Sequence, residues 1–474
     1  MLSPPDKRRL TADLAAIAGP DQVIVSPVEL EAYGYDASLV SARPDAVVLP
    51  SSTEEVVRIT RLALARRVPL VARGAGTSVS GGSIPVEGGI LVGFSRMNRI
   101  LEIDAANLCA TVEPGVVNLD LSAVTAPLGL RYVPDPSSQK TCTLGGNVAE
   151  NAGGLRCFKY GVTVNHVLGV ELVTSGGEVI ALGGKAPSAG GYDLAGVLTG
   201  SEGTLGIFTK IILRLMPIPR DARTMLAAYG SLDDASATVA AVIAAGIVPA
   251  AIEMMDRDII HAVEAYIHAG YPLDAEAVLV IELDGDPRAV AEQADRIGAI
   301  CAAGAATEVR IASGEEERER LWAGRKGALG AVARLRPRYY LHDGVVPRSR
   351  LPETIRRVGE IGKRHGLRIV NVYHAGDGNL HPMILFDTRD AAETARVHAA
   401  GDEIIRACVE AGGTITGEHG IGIEKRHLMP LIFSEADLAL MARVKRAFDP
   451  EGILNPGKIF PTGALCGDVR PLVA

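Results

Sequence analysis

Hydrophobic residues at the start of the chain occur in two patterns, one typical of short strands and one typical of an amphipathic helix. The apolar run at 46–50 has the composition of a short strand, and the run at 56–67 has the helical spacing of an amphipathic helix. Ser52 and Glu55 precede that helix with the spacing of an N-terminal capping box. A second short apolar run follows at 68–72. The pattern therefore predicts strand, helix and strand over residues 46–72.

From residue 73 to residue 215, short apolar runs alternate with turns rich in Gly, Pro and Asp. Few long helical patterns occur in this stretch, so we predict a β-rich first domain. The Pro-rich sequence at 216–223 then interrupts the pattern, as interdomain segments often do. We therefore place the end of the first domain at residue 218.

Beyond this boundary the chain shows two strand–helix–strand patterns, at 224–255 and at 278–312. Two such units in tandem favour a split, ferredoxin-like α+β sheet. A hairpin is predicted at 369–386, and long helical patterns flank it. The fold class is therefore α+β, with a second domain over 219–445 and a C-terminal segment over 446–474.

The composition excludes several classes of protein. The 474 residues include 48 Lys and Arg against 56 Asp and Glu, a net charge of −8, and nucleic-acid-binding proteins usually have a basic surface instead. Hydrophobic residues make up 47% and charged residues 22%, which is typical of a folded chain rather than a disordered one. The 53 glycines have no collagen-like period and indicate tight turns and close approach of the backbone to a bound molecule.

The cysteines and the apolar runs bear on location. None of the six cysteines forms a C-x-x-C pair, which argues against an internal iron–sulfur cluster or zinc ribbon and favours a reducing cytoplasm. Asp13 interrupts the N-terminal apolar run, so no signal peptide is predicted. The uncharged run at 235–252 has the bare length of a membrane span, but Gly246 and Pro249 interrupt it. We interpret it as a core helix, a turn and a strand.

Three Gly-rich segments occur in the β-rich half, at 73–82, 134–154 and 200–207. Backbone N–H groups in such turns can surround a pyrophosphate without obstruction by side chains. Their spacing matches neither the P-loop nor the Rossmann fingerprint, which disfavours a nucleoside triphosphatase and a nicotinamide-binding fold. Each segment by itself could be a simple turn. Together they favour a large ligand with phosphates and a polar ring.

A second group of candidate residues lies in the C-terminal half. Asp377 and Gly378 form a turn signal that brings His374 and His381 near the facing ends of a hairpin. Two histidines and a carboxylate such as Glu418 are a good ligand set for a divalent metal with open positions. His419 could then act as a base. An isolated histidine is more often structural, but here three of the ten histidines cluster in turn-prone sequence.

A basic stretch supplies a candidate for binding an acidic substrate. Seven Lys and Arg residues lie between positions 325 and 350, against one acid, Asp343. Arginine side chains suit carboxylates because their paired N–H groups match both oxygens. Most of these side chains would lie on a solvated helix face. Arg325, close to Trp322 and to small residues, is the predicted substrate anchor.

These motifs are similar to those of a known flavoprotein family. RGAGTSVSGG (73–82), PDPSSQKTCTLGGNVAENAGG (134–154) and GSEGTLGI (200–207) resemble the FAD-binding domain of the vanillyl-alcohol oxidase / p-cresol methylhydroxylase (PCMH) superfamily. HAGDGNLHP, GEHGIG and LNPGK resemble the C-terminal domain of its FAD-linked oxidases. YYLHDGVVPR and WAGRKGALGAV further resemble FAD-linked subunits of bacterial glycolate oxidases, in the D-lactate and D-2-hydroxyglutarate dehydrogenase branch. The resemblance spans about residues 20–462.

The resemblance implies a PCMH-type FAD-binding domain at 1–218 and a substrate and metal domain at 219–445. It also implies that the C-terminal segment at 446–474 returns to the FAD domain through Asn455. It also assigns roles to individual residues. It implies a metal on His374, His381 and Glu418, with zinc as first choice and manganese or iron as alternatives, His419 at the active site and Arg325 on the substrate. Residues 73–82 contain no histidine for a covalent flavin link, so FAD is expected to be noncovalent. The implied FAD-binding residues are Arg73, Gly74, Gly76, Thr77, Ser78, Gly81, Gly82, Pro134, Asp135, Ser138, Gly145, Asn147, Asn151, Gly153, Glu202, Gly206, Ile207 and Asn455.

The implied activity is oxidation of a 2-hydroxy acid to a 2-oxo acid. Hydroxyglutarate enzymes carry a lysine and an asparagine where this chain has Leu341 and Met383, so a small monocarboxylate such as glycolate or D-lactate is favoured. A stand-alone D-lactate or D-2-hydroxyglutarate dehydrogenase remains an alternative. So do a flavin-binding subunit without catalysis and a metal-dependent hydrolase without flavin.

The resemblance also implies partners. Since the chain lacks both a Rossmann fingerprint and its own iron–sulfur motif, its electrons would leave through separate subunits. The expected partners are a second flavin-type subunit and an iron–sulfur subunit that feed a quinone. The chain would then be cytoplasmic and peripheral at the inner membrane through those partners.

Overall fold

A computed structural model describes residues 3–186 and 190–462, which divide into two compact units. Of these residues, unit 1 comprises 3–154, 161–186, 190–218 and 418–462, and unit 2 comprises 155–160 and 219–417. The α-helices are, in chain order, α1 (Pro4–Ala18), α2 (Pro27–Tyr33), α3 (Thr53–Arg66), α4 (Asn118–Thr125), α5 (Leu144–Glu150), α6 (Cys157–Tyr160), α7 (Leu194–Leu198), α8 (Leu232–Ala244), α9 (Arg257–Glu264), α10 (Pro287–Ala303), α11 (Glu315–Lys326), α12 (Ala328–Val332), α13 (Leu351–His365), α14 (Ala391–Glu410) and α15 (Glu435–Phe448).

The strands fall into several sheets. They are β1 (Val23–Ile24), β2 (Ala46–Val48), β3 (Leu70–Arg73), β4 (Ile90–Gly93), β5 (Ile100–Asp104), β6 (Cys109–Val112), β7 (Leu130–Arg131), β8 (Val167–Val173), β9 (Val179–Gly183), β10 (Ile207–Arg214), β11 (Met216–Pro217), β12 (Asp221–Tyr229), β13 (Ala251–Asp256), β14 (Ala277–Gly285), β15 (Ala306–Ile311), β16 (Arg338–Leu341), β17 (Gly344–Val345), β18 (Arg368–His374) and β19 (Asn379–Phe386).

Unit 1 is built on two main sheets. One has the order β1-β2-β4-β3, in which β2, β4 and β3 run parallel, and the other is antiparallel with the order β5-β6-β10-β8-β9. The predicted strand, helix and strand at 46–72 are confirmed as β2, α3 and β3. The Ser52 hydroxyl caps α3 by accepting a hydrogen bond from the amide of Glu55. Val56, Ile59 and Ala63 then pack on the parallel sheet, which places the loop after β3 at its edge.

Unit 2 contains the predicted ferredoxin-like sheet. Strands β15, β12, β14 and β13 lie side by side in that order, which is the strand order of a split β-α-β fold, and β18, β19 and β16 extend the same sheet. One face packs on α8 and α10, and the other packs on α9, α11 and α12. Because both faces are covered, most positions of the central strands are apolar. Each of them also carries two acids, Glu253 and Asp256 on β13 and Glu282 and Asp284 on β14.

The unit boundaries differ from the predicted ones at two places. The chain rejoins unit 1 at Glu418 rather than at residue 446, because the amides of Ile421 and Gly422 bind the Glu202 carboxylate and Phe448 packs on the unit 1 core. Residues 155–160 belong to unit 2, where Arg156 and Lys159 form ion pairs with Glu282 and Asp284. Both departures depend on pairs that are more than 100 residues apart in sequence.

The long uncharged run at 235–252 adopts the predicted structure. It forms most of α8, a turn with Gly246 at φ 74°, and the start of β13. Across residues 3–186 and 190–462, no helix combines the length and the apolar character needed to cross a bilayer.

Candidate active site

The first Gly-rich segment, 73–82, follows β3 directly and packs on the second segment. The Arg73 guanidinium is buried and donates to the carbonyl of Tyr35, with an Nη2–O distance of 2.8 Å, and to the Ser83 hydroxyl. A Cβ atom at Gly74 would collide with the Thr143 hydroxyl, and Gly76 has a φ of 68°. Glycine is therefore required at these positions, and the backbone of the loop stays close to the second segment.

The second segment, 134–154, is held by asparagine side chains. Asn118 donates to the Pro134 carbonyl at 3.0 Å and to the Asn147 side-chain oxygen at 2.9 Å. Asn151 adopts φ 52°, and its side-chain oxygen accepts a hydrogen bond from the Val164 amide at 2.8 Å. The predicted ligands Pro134, Asp135, Ser138, Gly145 and Gly153 lie on the same segment, and Asp135 packs against Gly154. These bonds fix the shape of the loop before any ligand binds.

The third segment, 200–207, is tied to the first by the C-terminal tail. The Asn455 amide donates to the carbonyl of Gly82 at 2.8 Å and to that of Glu202 at 2.6 Å. Gly206 packs so closely on Leu172 that no side chain fits, and the Ile207 side chain lies in the core. Unit 1 therefore brings all three predicted segments and Asn455 together. Thr77, Ser78, Gly81 and Gly82 complete this group of predicted residues on the first loop.

Two buried carboxylates stand beside these loops. Both oxygens of Glu202 accept backbone N–H bonds, from Ile421 and from Gly422, each at 2.7 Å. Burial raises the pKa of Glu202, and burial together with the charge of Glu202 raises the pKa of Glu150 well above its usual range. The Glu202 side chain thus positions the loop that follows His419, a contact that the sequence did not predict.

The hairpin of unit 2 carries the two predicted metal histidines. Strands β18 and β19 pair with Val372 opposite His381 and His374 opposite Asn379, so both histidines lie on the same face of the sheet. Their ring centroids are 4.9 Å apart, with an angle of 87° between the rings. The turn between the strands contains Gly378 at φ 76°, and the predicted hairpin is confirmed.

The Nδ1 atom of each ring faces a protein acceptor. His374 Nδ1 lies 2.9 Å from both oxygens of Glu253, and His381 Nδ1 lies 3.1 Å from the carbonyl oxygen of His342. These contacts orient both rings with Nε2 on the opposite side, which is the arrangement that metal-bound histidines usually have. The donor set and its orientation fit a divalent metal.

Arg325 projects from α11 into the same buried cluster. Only 3% of its surface is exposed, and its Nε donates to Glu253 Oε2 at 2.8 Å. One terminal nitrogen of the guanidinium also lies 3.4 Å from His374 Nδ1. The predicted substrate anchor is therefore next to the predicted metal histidine, with Glu253 as its counter-charge.

Asp343 holds the chain just before Glu418. The carboxylate is fully buried, and its Oδ2 accepts hydrogen bonds from the Thr416 hydroxyl at 2.6 Å and from the Gly417 amide at 3.0 Å. Glu418 follows Gly417 directly, and the His419 ring lies 3.8 Å from the Glu418 carboxylate. Asp343 therefore holds Thr416 and Gly417, the two residues that precede the predicted ligand and base in the sequence.

Sequence reasoning missed Glu253 and the orienting role of Asp343. Each had a signal: Glu253 interrupts the apolar strand AAIEMM, and Asp343 is the single acid in the basic stretch. Neither signal identifies the partners, because these lie far away along the chain, on another strand, on a helix or in a loop.

Comparisons with known proteins show which families match the two halves of the chain. A model of the FAD binding domain matches residues 44–183, and a model of the FAD linked oxidases, C-terminal domain, matches residues 218–459. These matches disfavour the alternative of a hydrolase without flavin.

Individual relatives match over almost the whole chain. The glycolate oxidase subunit GlcD of Escherichia coli strain K12 is 46% identical over 94% of this chain and 90% of its own, and that of Bacillus subtilis strain 168 is 44% identical over 95% and 96%. A D-lactate dehydrogenase of Anaerostipes hadrus is 33% identical over 93% and 95%. Among solved structures, p-cresol methylhydroxylase with substrate bound has a TM-score of 0.81 at 18% identity, covering 97% of each chain.

Proposed function

Since the chain belongs to the FAD-linked oxidases, we propose that it is an FAD-dependent dehydrogenase that oxidises a small 2-hydroxy acid, glycolate or D-lactate, to the 2-oxo acid. The observation that supports this most is the buried cluster of His374, His381, Glu253 and Arg325 on one face of the unit 2 sheet. It combines histidines suited to a metal with an arginine suited to a carboxylate. Relatives named for glycolate and for D-lactate match 94% and 93% of this chain, respectively.

The three Gly-rich segments and Asn455 would hold FAD. Their fit is supported by backbone that approaches too closely for side chains at Gly74 and Gly206 and by loops that are already bonded to one another. When bound, FAD supplies the hydride acceptor, because the redox chemistry belongs to the cofactor.

We expect acid precipitation of the purified protein to release its yellow colour into the supernatant. The first Gly-rich segment contains no histidine to form a covalent link, and its polar groups can bind FAD through hydrogen bonds alone. The measurement is the flavin absorbance of supernatant and pellet. Colour that stays with the pellet would contradict noncovalent binding.

His374, His381 and Glu418 would hold one divalent metal, with zinc as first choice and manganese or iron as alternatives. When bound, such a metal lowers the pKa of a coordinated hydroxyl and stabilises developing negative charge on it. The chain's own residues do the rest. Arg325 binds the substrate carboxylate, and His419 accepts the hydroxyl proton as general base.

The size of the substrate is limited by an apolar pair. Leu341 lies directly opposite Met383 in the pairing of β16 with β19, and both belong to the apolar cluster on the His381 face. The resemblance implies polar residues at these positions in hydroxyglutarate enzymes. An apolar pair leaves a second carboxylate without a partner, and burying an unpaired charge is costly.

We expect dye reduction with glycolate or D-lactate and little with D-2-hydroxyglutarate or L-lactate. Steady-state assays of the isolated chain with an artificial electron acceptor test the four acids side by side. Hydrogen peroxide formation, measured in parallel, should be slow. Peroxide at the rate of dye reduction would identify an oxidase instead, and equal rates with D-2-hydroxyglutarate would contradict the size limit.

We also propose that partner subunits take up the electrons. The curated relatives at 44–46% identity are named as subunits, which supports a complex. A second flavin-type subunit and an iron–sulfur subunit would pass the electrons to a quinone. The cytoplasm is the proposed location, with membrane contact through these partners. Quinone reduction by the isolated chain at the full dye rate would argue against a need for them.

A further inference from the structure

Glu253 is a charged residue in the middle of a buried strand. It lies on β13 between Ile252 and Met254, and its exposed fraction is 1%. The pairing of β13 with β18 places it directly opposite His374. Burying a carboxylate costs free energy unless the carboxylate is paired and hydrogen-bonded. The contacts of Glu253 therefore indicate why a buried carboxylate lies at this position.

Both side chains that contact the Glu253 carboxylate belong to the proposed site. Its two oxygens each lie 2.9 Å from His374 Nδ1, and Arg325 contacts the same carboxylate at 2.6 Å and 2.8 Å. The carboxylate therefore accepts hydrogen bonds from the histidine and the arginine together, and Arg325 supplies the counter-charge.

Glu282 on the neighbouring strand offers a direct comparison. It lies on the same face of the sheet and is equally buried, but it pairs with Arg156 and Arg318. Burial of a glutamate on this face is thus compatible with a purely structural ion pair. The contact with a metal histidine is what distinguishes Glu253.

We propose that Glu253 is a positioning residue that holds His374 with Nδ1–H toward the carboxylate and Nε2 toward the metal. This inference rests on the proposed metal site and adds to it the group that orients one ligand. A carboxylate behind a ligating histidine fixes the ring and raises its basicity, and removal of such a group typically weakens metal binding about 10–100-fold. Arg325 in turn keeps the Glu253 carboxylate in place, so the same arginine serves both the substrate and the ligand shell.

The test measures metal affinity rather than turnover. Metal-free flavoprotein is titrated with Mn²⁺, free Mn²⁺ is followed by its paramagnetic resonance signal, and Tm is recorded for each variant. E253Q should weaken Mn²⁺ binding about 10–100-fold at unchanged stoichiometry, while E282Q binds Mn²⁺ as the wild type does. A merely structural role would lower the Tm of both variants and leave the Mn²⁺ affinity of E253Q equal to that of E282Q, which would overturn the proposal.

A second variant keeps the test decisive if E253Q folds poorly. E253Q/R325M removes both charges, so no unpaired arginine is left buried, and it should show the same weakening of Mn²⁺ binding. The metal site itself is tested separately with H381A. If the wild type binds neither Mn²⁺ nor Zn²⁺, or if H381A binds the metal as tightly as the wild type, the proposed metal site fails and the Glu253 proposal fails with it. Tight binding by the wild type and unchanged binding by E253Q overturns only the role of Glu253.

Discussion

Turnover should fall by about 10²–10⁴-fold when His419 is replaced by alanine, because this is the usual contribution of a general base that accepts a substrate proton. FAD and the metal should remain bound, since alanine removes neither the Gly-rich segments nor the proposed ligands. The backbone after His419 should also keep its place, because Glu202 holds the amides of Ile421 and Gly422. The effect should therefore appear in kcat and not in cofactor content.

The measurement is steady-state dye reduction with glycolate and with D-lactate, together with flavin absorbance and metal analysis of the same preparation. His427→Ala is a matched control, because this histidine is exposed and lies outside the proposed site of the same unit. Turnover of His419→Ala within a few-fold of the control would rule out His419 as the base. Loss of flavin in His419→Ala alone would point to a structural role instead.

Replacing His381 by alanine should remove the metal and nearly all activity. The wild type should contain about one divalent metal per chain, and a site of two histidines and one carboxylate cannot hold it well with one histidine missing. The strand itself should survive, because alanine keeps its backbone bonds to β18 and its neighbours Leu380 and Met383 stay in the core. Elemental analysis after removal of loosely bound metal gives the stoichiometry.

His398→Ala provides the comparison for this variant. His398 is exposed on α14 and packs edge-on against Tyr340, away from the proposed ligand set. Metal content and dye reduction of His398→Ala should equal those of the wild type. If the wild type were fully active without metal, the metal would have no role in the mechanism. If His381→Ala retained about one metal per chain, the metal would bind at a different site.

The sheet that carries Glu253, His374 and His381 is covered on both faces. Apolar side chains from α8 and α10 fill one side and those from α9, α11 and α12 fill the other. The polar cluster of Glu253, Arg325 and His374 therefore lies where side chains have little freedom. Side chains that are preorganised in this way can bind a metal and a substrate without first having to be ordered.

Local patterns in the sequence determined much of this protein. The apolar periods predict β2, α3 and β3, the tandem strand–helix–strand units predict the ferredoxin-like strand order, and the Asp377-Gly378 turn predicts the hairpin. Each of these rests on interactions between residues close in the chain, namely turn chemistry, capping and the period of apolar residues. The motifs also pointed to the three FAD segments and to the two histidines.

The tertiary structure alone decided which groups meet. Glu253 reaches His374, 121 residues away, only because β13 pairs with β18 in one particular register. The return of the chain to unit 1 at Glu418 likewise depends on Glu202, 219 residues from Ile421. The first contact depends on strand order and register, and a shift of one residue would turn Glu253 to the other face of the sheet. The second contact joins two loops that only the folded unit brings together. The spacing of residues along the chain does not show which distant residues will meet. The sequence therefore revealed which residues could form the site, and the fold decided which of them are in contact.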